Sequence, residues 1–185
     1  MTDTLDELEA MGEKFSVDKL LDVRARTRHA VHMIADQVEV GADDMFFVDF
    51  GPIYEECEGD SGDTFVVGDD PDHHRAKRDA RAIWEDTRQY WFDQGATGKE
   101  LYDFASQAAE NLGWKLNLDL SGHRLSDFPH SAHYDGSIAD VPFALHPDRW
   151  VLEIAIVHPE RPFGAFYEDL LLEDQSSPEW VFAAN

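Results

Sequence analysis

Asp49, Asp60, His123, Glu153 and Glu168 each stand inside a short apolar or glycine-bounded run of this 185-residue chain. Four carboxylates and one imidazole offer hard oxygen donors and a borderline nitrogen, a set that suits a pair of divalent ions such as Mn, Co, Fe or Zn. No single member carries that reading. A lone aspartate in a strand is more often a turn or cap residue, and a lone histidine more often a packed or surface group. Taken together the five read as one dinuclear metal site.

Spacing supports the grouping. Asp49 lies in the strand-like run Phe46-Phe47-Val48-Asp49-Phe50, and Gly51-Pro52 supplies a turn before Ile53-Tyr54-Glu55-Glu56-Cys57, which reads as a hairpin. Asp60 follows in Gly59-Asp60-Ser61-Gly62-Asp63-Thr64-Phe65, so a returning strand brings both carboxylates to one level. Glu153 interrupts Trp150-Val151-Leu152-Glu153-Ile154-Ala155-Ile156-Val157, and Glu168 interrupts Phe166-Tyr167-Glu168-Asp169-Leu170-Leu171-Leu172. A carboxylate inside such a strand is costly to bury unless it is paired or metal-bound.

Val48-Asp49-Phe50-Gly51-Pro52, Gly59-Asp60-x-Gly62-x-Thr64-Phe65, Gly122-His123-Arg124-Leu125-x-Asp127-Phe128-Pro129-His130, Val151-Leu152-Glu153-Ile154 and Phe166-Tyr167-Glu168-Asp169 occur in that order. The series resembles the successive signatures of the pita-bread metallohydrolases, which include methionine aminopeptidase, Xaa-Pro dipeptidase, aminopeptidase P and the metal-free creatinase. The resemblance covers about residues 16 to 173. It implies an α+β pita-bread fold, a curved antiparallel sheet with helices on one face. It also implies that Asp49 holds one metal, that Asp60 and Glu168 bridge both, and that His123 with Glu153 holds the other. His130 matches the family's second histidine, which contacts substrate and assists proton transfer.

Two departures from the pattern stand out. Asp63 occupies the position before Thr64-Phe65 where most of the family has a basic residue, which adds negative charge near a negative site. Val38-Glu39-Val40-Gly41 runs almost directly into Ala42-Asp43-Asp44-Met45-Phe46, so the first repeat is truncated. The stretch missing there normally brings a substrate-contacting histidine and one wall of the specificity pocket.

Composition bounds the partners. The formal charge of −24, from 39 acidic against 15 basic residues, argues against nonspecific nucleic-acid binding and against docking to anionic membranes. The lysines are only Lys14, Lys19, Lys77, Lys99 and Lys115, and such an acid excess also resembles proteins of a salt-rich cytosol. At 43% hydrophobic and 12% aromatic the chain suits one folded domain, read here as 16–185 after a short extension at 1–15. Cys57 is the sole cysteine, which rules out an intrachain disulfide and favours a reducing compartment, the cytoplasm. The N-terminal residues carry no signal-peptide pattern, and no apolar run approaches the length of a membrane span.

The elements that must position the acids are legible in outline. Ser16 caps a helix with Leu20, Val23, Val31, Ile34 and Val38 on one stripe, ended by Gly41. Asp70-Pro71 starts a second, with Ala76, Ala80, Ile83, Trp84, Thr87, Tyr90 and Trp91 on its core face. Thr97-Gly98-Lys99-Glu100 is a capping-box match opening a third, with Leu101, Phe104, Ala105, Ala108 and Leu112 inward up to Gly113. Antiparallel strands are predicted beyond it, most clearly over Leu116 to Leu120 and Val151 to Val157. The helices then cover one face of the sheet and the acids point to the other. His73, His74, His146 and His158 read as surface groups, and His133 as a loop histidine near enough to His123 and His130 to line the cleft.

There is no nucleophile elbow, phosphate loop, paired Cys-x-x-Cys or His-Glu-x-x-His helix. Two-metal hydrolysis is what remains. The resemblance implies that the bond cleaved is a C–N bond of a short peptide or amide, as in an aminopeptidase or dipeptidase, and that His130 and Glu153 are the catalytic pair. Two other readings stay open: a non-catalytic binding or assembly module of the same fold, and metal-supported chemistry on a non-peptide small molecule. The truncated repeat would leave a sheet edge uncovered, so a homodimer joined through Val38 to Met45 is expected.

Overall fold

The computed structural model describes residues 40–51, 53–54, 57–125, 134 and 136–173. The expected first helix, His130 and His133 lie outside the described residues.

Among the described residues eight strands and two α-helices follow in the order β1 (Asp44–Phe50), β2 (Ile53–Tyr54), β3 (Cys57–Glu58), β4 (Ser61–Val67), α1 (Pro71–Gln94), α2 (Gly98–Asn111), β5 (Lys115–Leu116), β6 (His123–Arg124), β7 (Trp150–Val157) and β8 (Gly164–Leu170). The main sheet runs β1-β4-β8-β7-β5, with β6 also on β7, and every pairing is antiparallel. The fold is thus the α+β arrangement that the motifs imply. Among the described residues no helix is long and apolar enough to cross a membrane.

Both helices begin where the sequence says. The Asp70 side chain accepts the Asp72 N–H ahead of Pro71, and α1 ends at Gly95, whose φ of 60° is the left-handed conformation that favours glycine. Thr97 and Glu100 form a reciprocal capping box at the start of α2. The buried stripes of the two helices pack on the inner residues of β7, Leu152, Ile154 and Ile156, which belong to one core with Trp84, Trp91, Leu101 and Tyr102. Buried indole N–H groups need acceptors. Trp84 finds the Leu152 carbonyl at 2.8 Å, Trp91 that of Leu145 at 3.1 Å, and Trp114 the Asp79 carboxylate at 2.9 Å.

Several expectations are corrected. β1 does not pair with the segment after Gly51-Pro52. It pairs with β4, Asp49 opposite Gly62, while β2 and β3 form a separate two-stranded ribbon. The longer pairing brings together the apolar residues of β1 and β4, with Phe46 opposite Phe65. The strand over Leu116 to Leu120 shrinks to two residues, and Leu118 and Leu120 are exposed. Leu112 is exposed as the residue that ends α2. His73 is buried, not on the surface, with its ring against Phe163, and His158 packs against Trp114 and Phe163. Asp63 adds no charge to the acidic face: it meets Lys77 of α1 at 3.4 Å.

Candidate metal centre

Strand pairing draws the acids into a row. Asp49 is opposite Gly62, Gly62 opposite Glu168, and Glu168 opposite Glu153, so one line crosses β1, β4, β8 and β7. Side chains alternate along a strand, so Glu153 points away from the face that buries Leu152 and Ile154 against the helices. Tyr167 touches Trp84 of α1, which likewise turns Glu168 to the other face. His123 joins from β6, where it is opposite Val151, two residues along β7 from Glu153.

Gly62 leaves room in the row. A Cβ there would lie 2.7 Å from Glu168 Oε1, 2.7 Å from Phe166 Cε1 and 3.0 Å from the Val48 carbonyl oxygen. Any larger residue would displace the carboxylate.

Asp49, Asp60 and Glu168 each present a ligand atom within 4.8 Å of the other two. His123 links this trio to Glu153: its Nε2 is 3.1 Å from Asp60 Oδ2 and 3.5 Å from Glu153 Oε1. All five residues named from sequence are therefore neighbours.

Without a cation the acids must share protons. Burial raises Glu168 to about 10, aided by the charges of Asp60, Asp49 and Glu153. Burial also raises Glu153 to about 7, against the pull of His123, and raises Asp49 with help from Asp60. Burial alone would lower His123, but its hydrogen bond to Asp60 and the charge of Glu153 outweigh this and hold it at about 9.

Two oxygens decide whether a divalent ion fits. Asp60 Oδ1, just before β4, and Glu168 Oε1 on β8 are buried with no hydrogen-bond partner, and orphaned carboxylate oxygens that converge in this way are what a hard cation requires. The donor set fits.

Sequence reasoning missed two supports. The Tyr102 hydroxyl donates to the Glu153 carbonyl at 2.7 Å, and the backbone of Gly122 lies near enough to the Glu153 carboxylate to favour its charged form. Gly122 adopts φ 69°, and a Cβ there would lie 2.5 Å from the Val151 carbonyl oxygen. Its place beside His123 in the motif was the available signal. Tyr102 gave none, being one more inward residue of α2.

Known structures share this architecture. The chain is similar to a methionine aminopeptidase from Thermotoga maritima (TM-score 0.50, 18% identity, 71% of this chain and 61% of that one). It is also similar to the prolidase from Pyrococcus furiosus (0.54, 21%, 77% and 43%) and a dipeptidase from Pyrococcus horikoshii OT3 (0.55, 20%, 75% and 38%). It thus spans less than two thirds of the length of each. No curated protein matches it. The model of metallopeptidase family M24 matches residues 5–172. Because that match takes in most of the chain and every position of the carboxylate row, the protein belongs to metallopeptidase family M24.

Proposed function

We propose that the protein is a metal-dependent hydrolase of C–N bonds, acting as an aminopeptidase or dipeptidase on short peptides. The observation that carries this reading is the pair of orphaned oxygens, Asp60 Oδ1 and Glu168 Oε1, in a buried acidic row. The names of the similar structures, an aminopeptidase, a prolidase and a dipeptidase, support a peptide substrate.

Two divalent ions, drawn from Mn, Co, Fe or Zn, would be held by Asp49 on one side, by His123 and Glu153 on the other, and by Asp60 and Glu168 between them. When bound, such ions supply Lewis-acid polarisation and lower the pKa of water. The rest falls to the chain. Glu153, its backbone carbonyl held by Tyr102 from behind, would exchange a proton with the reacting water. His130 would stabilise the developing oxyanion or relay a proton, a contribution of about 10²- to 10⁴-fold for such groups. His133 would line the cleft. The same reading sets the protein in the cytoplasm as a homodimer.

The test is release of free amine from dipeptides, with and without proline in second place, by protein loaded with Mn or Co. Turnover that disappears with chelator is the expected result. A fully loaded protein without turnover would favour the binding or assembly role, a reading to which the partial span of the relatives lends weight. Failure to bind any divalent ion would remove the site itself.

A further inference from the structure

β4 and β8 pair only at Gly62 with Glu168 and at Asp63 with Tyr167. One residue on, the Thr64 hydroxyl replaces the ladder, accepting the Phe166 N–H at 2.7 Å and donating to the Phe166 carbonyl at 2.8 Å. Beyond Thr64 a cavity of about 490 Å³ lies among β1, the first turn of α1 and the turn between β7 and β8. That size suits a small organic molecule.

The chemistry of its walls is specific. Phe46, Phe47 and Phe163 give aromatic surface, and the polar lining is Asp43, Asp44, His73 and Arg161. Arg161 is already neutralised, with its guanidinium 2.6 Å from Asp70 Oδ2 and 2.8 Å from Asp72 Oδ2. Asp44 accepts the Gly41 and Met45 N–H groups and Asp43 that of Asp69, and neither forms an ion pair with a Lys or Arg among the described residues, so the cavity carries net negative charge.

His73 supplies the second observation. It is only 7% exposed, and its Nδ1 is buried with no hydrogen-bond partner. Its Nε2 stands 3.8 Å from Asp70 Oδ2. With Nε2 turned toward Asp70, Nδ1 is the ring nitrogen left buried and unpaired, which is costly and calls for a polar partner.

We propose that this cavity is a second binding site, separate from the carboxylate row, for a small organic ammonium ion. The ammonium would donate to His73 Nδ1 near Asp43 and Asp44, and its alkyl body would lie on the phenylalanine rings, whose faces also attract cations. A divalent metal is the wrong occupant. Among the described residues only Asp49, Asp60 and Glu168 form a three-ligand group. An anion would meet two carboxylates that no Lys or Arg among the described residues neutralises. The proposal stands whether or not the protein is a peptidase.

The experiment titrates n-butylammonium into the full, metal-loaded chain, reading the His73 ring nitrogens by NMR and the melting temperature. A saturable change at Nδ1 is expected, with 1-butanol binding at least tenfold more weakly and butyrate not at all. His73→Phe, which keeps the ring and removes the acceptor, should weaken binding by about ten- to a hundred-fold. Asp43→Asn, at an exposed position, should weaken it several-fold and serves if the first variant does not fold. Equal binding of 1-butanol, unchanged affinity in either folded variant, or no saturable change at all would overturn the proposal.

Discussion

Glu153 on β7 and Glu168 on β8 are direct cross-strand partners, two buried carboxyl groups side by side, with 9% and 1% of their surface exposed. Like charges directly opposite in a sheet oppose its pairing. The metal-free protein relieves this by protonation, with Glu168 at about 10. The pairing of β7 with β8 and the occupancy of the site are therefore one problem.

Stability should fall with rising pH when metal is absent. Glu153 and Glu168, at about 7 and about 10, lie above the ordinary 4.5, and His123, at about 9, lies above 6.5. In each case the native state holds a proton that the unfolded state releases earlier, so the stabilisation is present at low pH and lost as pH rises through these windows. Melting in chelator from roughly pH 5 to roughly pH 9 should show a steady decline, and added Mn or Co should raise the melting temperature most at the alkaline end. Arg161 holds Asp70 well below the usual carboxylate range, so that pair is lost only in stronger acid. A metal-free protein that stabilises with rising pH would contradict the shared-proton picture.

Gly62→Ala tests the space in the row. The added methyl meets Glu168 Oε1 and Phe166 at 2.7 Å, an overpacking worth about 1–3 kcal/mol in a core. The expected outcome is a fold retained at lower melting temperature with divalent-ion affinity reduced at least tenfold, read by calorimetric titration. Unchanged affinity would show that the carboxylate does not need this clearance.

Tyr102→Phe removes one hydroxyl from beneath a candidate ligand. Losing its bond to the Glu153 carbonyl should cost about 1 kcal/mol of stability and weaken one of two metal-binding steps, leaving the other intact. Trp84→Phe is the control, because it frees the neighbouring Leu152 carbonyl, whose side chain faces the helices. That variant should lose stability without changing metal affinity. If both variants alter metal binding alike, Tyr102 acts only through general packing.

His130 and His123 are expected to divide their roles. His130→Ala should keep metal and lose turnover, whereas His123→Ala should lose metal, measured by elemental analysis beside the peptide assay. Equal metal loss in both would cancel the division.

Self-association is expected through the Val38 to Met45 junction and the adjoining β1, terminal in the sheet order among the described residues, where Val40 just before the strand and Phe50 at its end are exposed. Edge strands with apolar side chains are normally covered or paired. The charge of −24 opposes association at low salt, so light scattering should report a dimer favoured by salt, and Val40→Lys should dissociate it. A monodisperse monomer at micromolar concentration and high salt would end this expectation.

Much of this was legible because local signals suffice for it. Asp70-Pro71 and the Thr97 to Glu100 box fix helix starts by hydrogen bonds within one turn, and an acid inside an apolar strand marks a buried charge wherever the strand ends up. Long-range pairing was not legible. Gly51-Pro52 pointed to a partner a few residues away, yet β1 chose β4, because register is settled by which faces bury together. The burial of His73 was equally hidden, since it depends on Phe163 arriving from the turn between β7 and β8.

The row of Asp49, Gly62, Glu168 and Glu153 also guards the assembly of the sheet. A slip of one residue in β7 or β8 would turn a glutamate inward among Trp84, Leu152 and Ile154, where nothing can neutralise it, and a slip in β4 would put Ser61 or Asp63 where only glycine clears Glu168. The residues proposed to hold the ions thus act as alignment marks during folding. Any misaligned sheet carries an immediate electrostatic or steric penalty before a metal is ever bound.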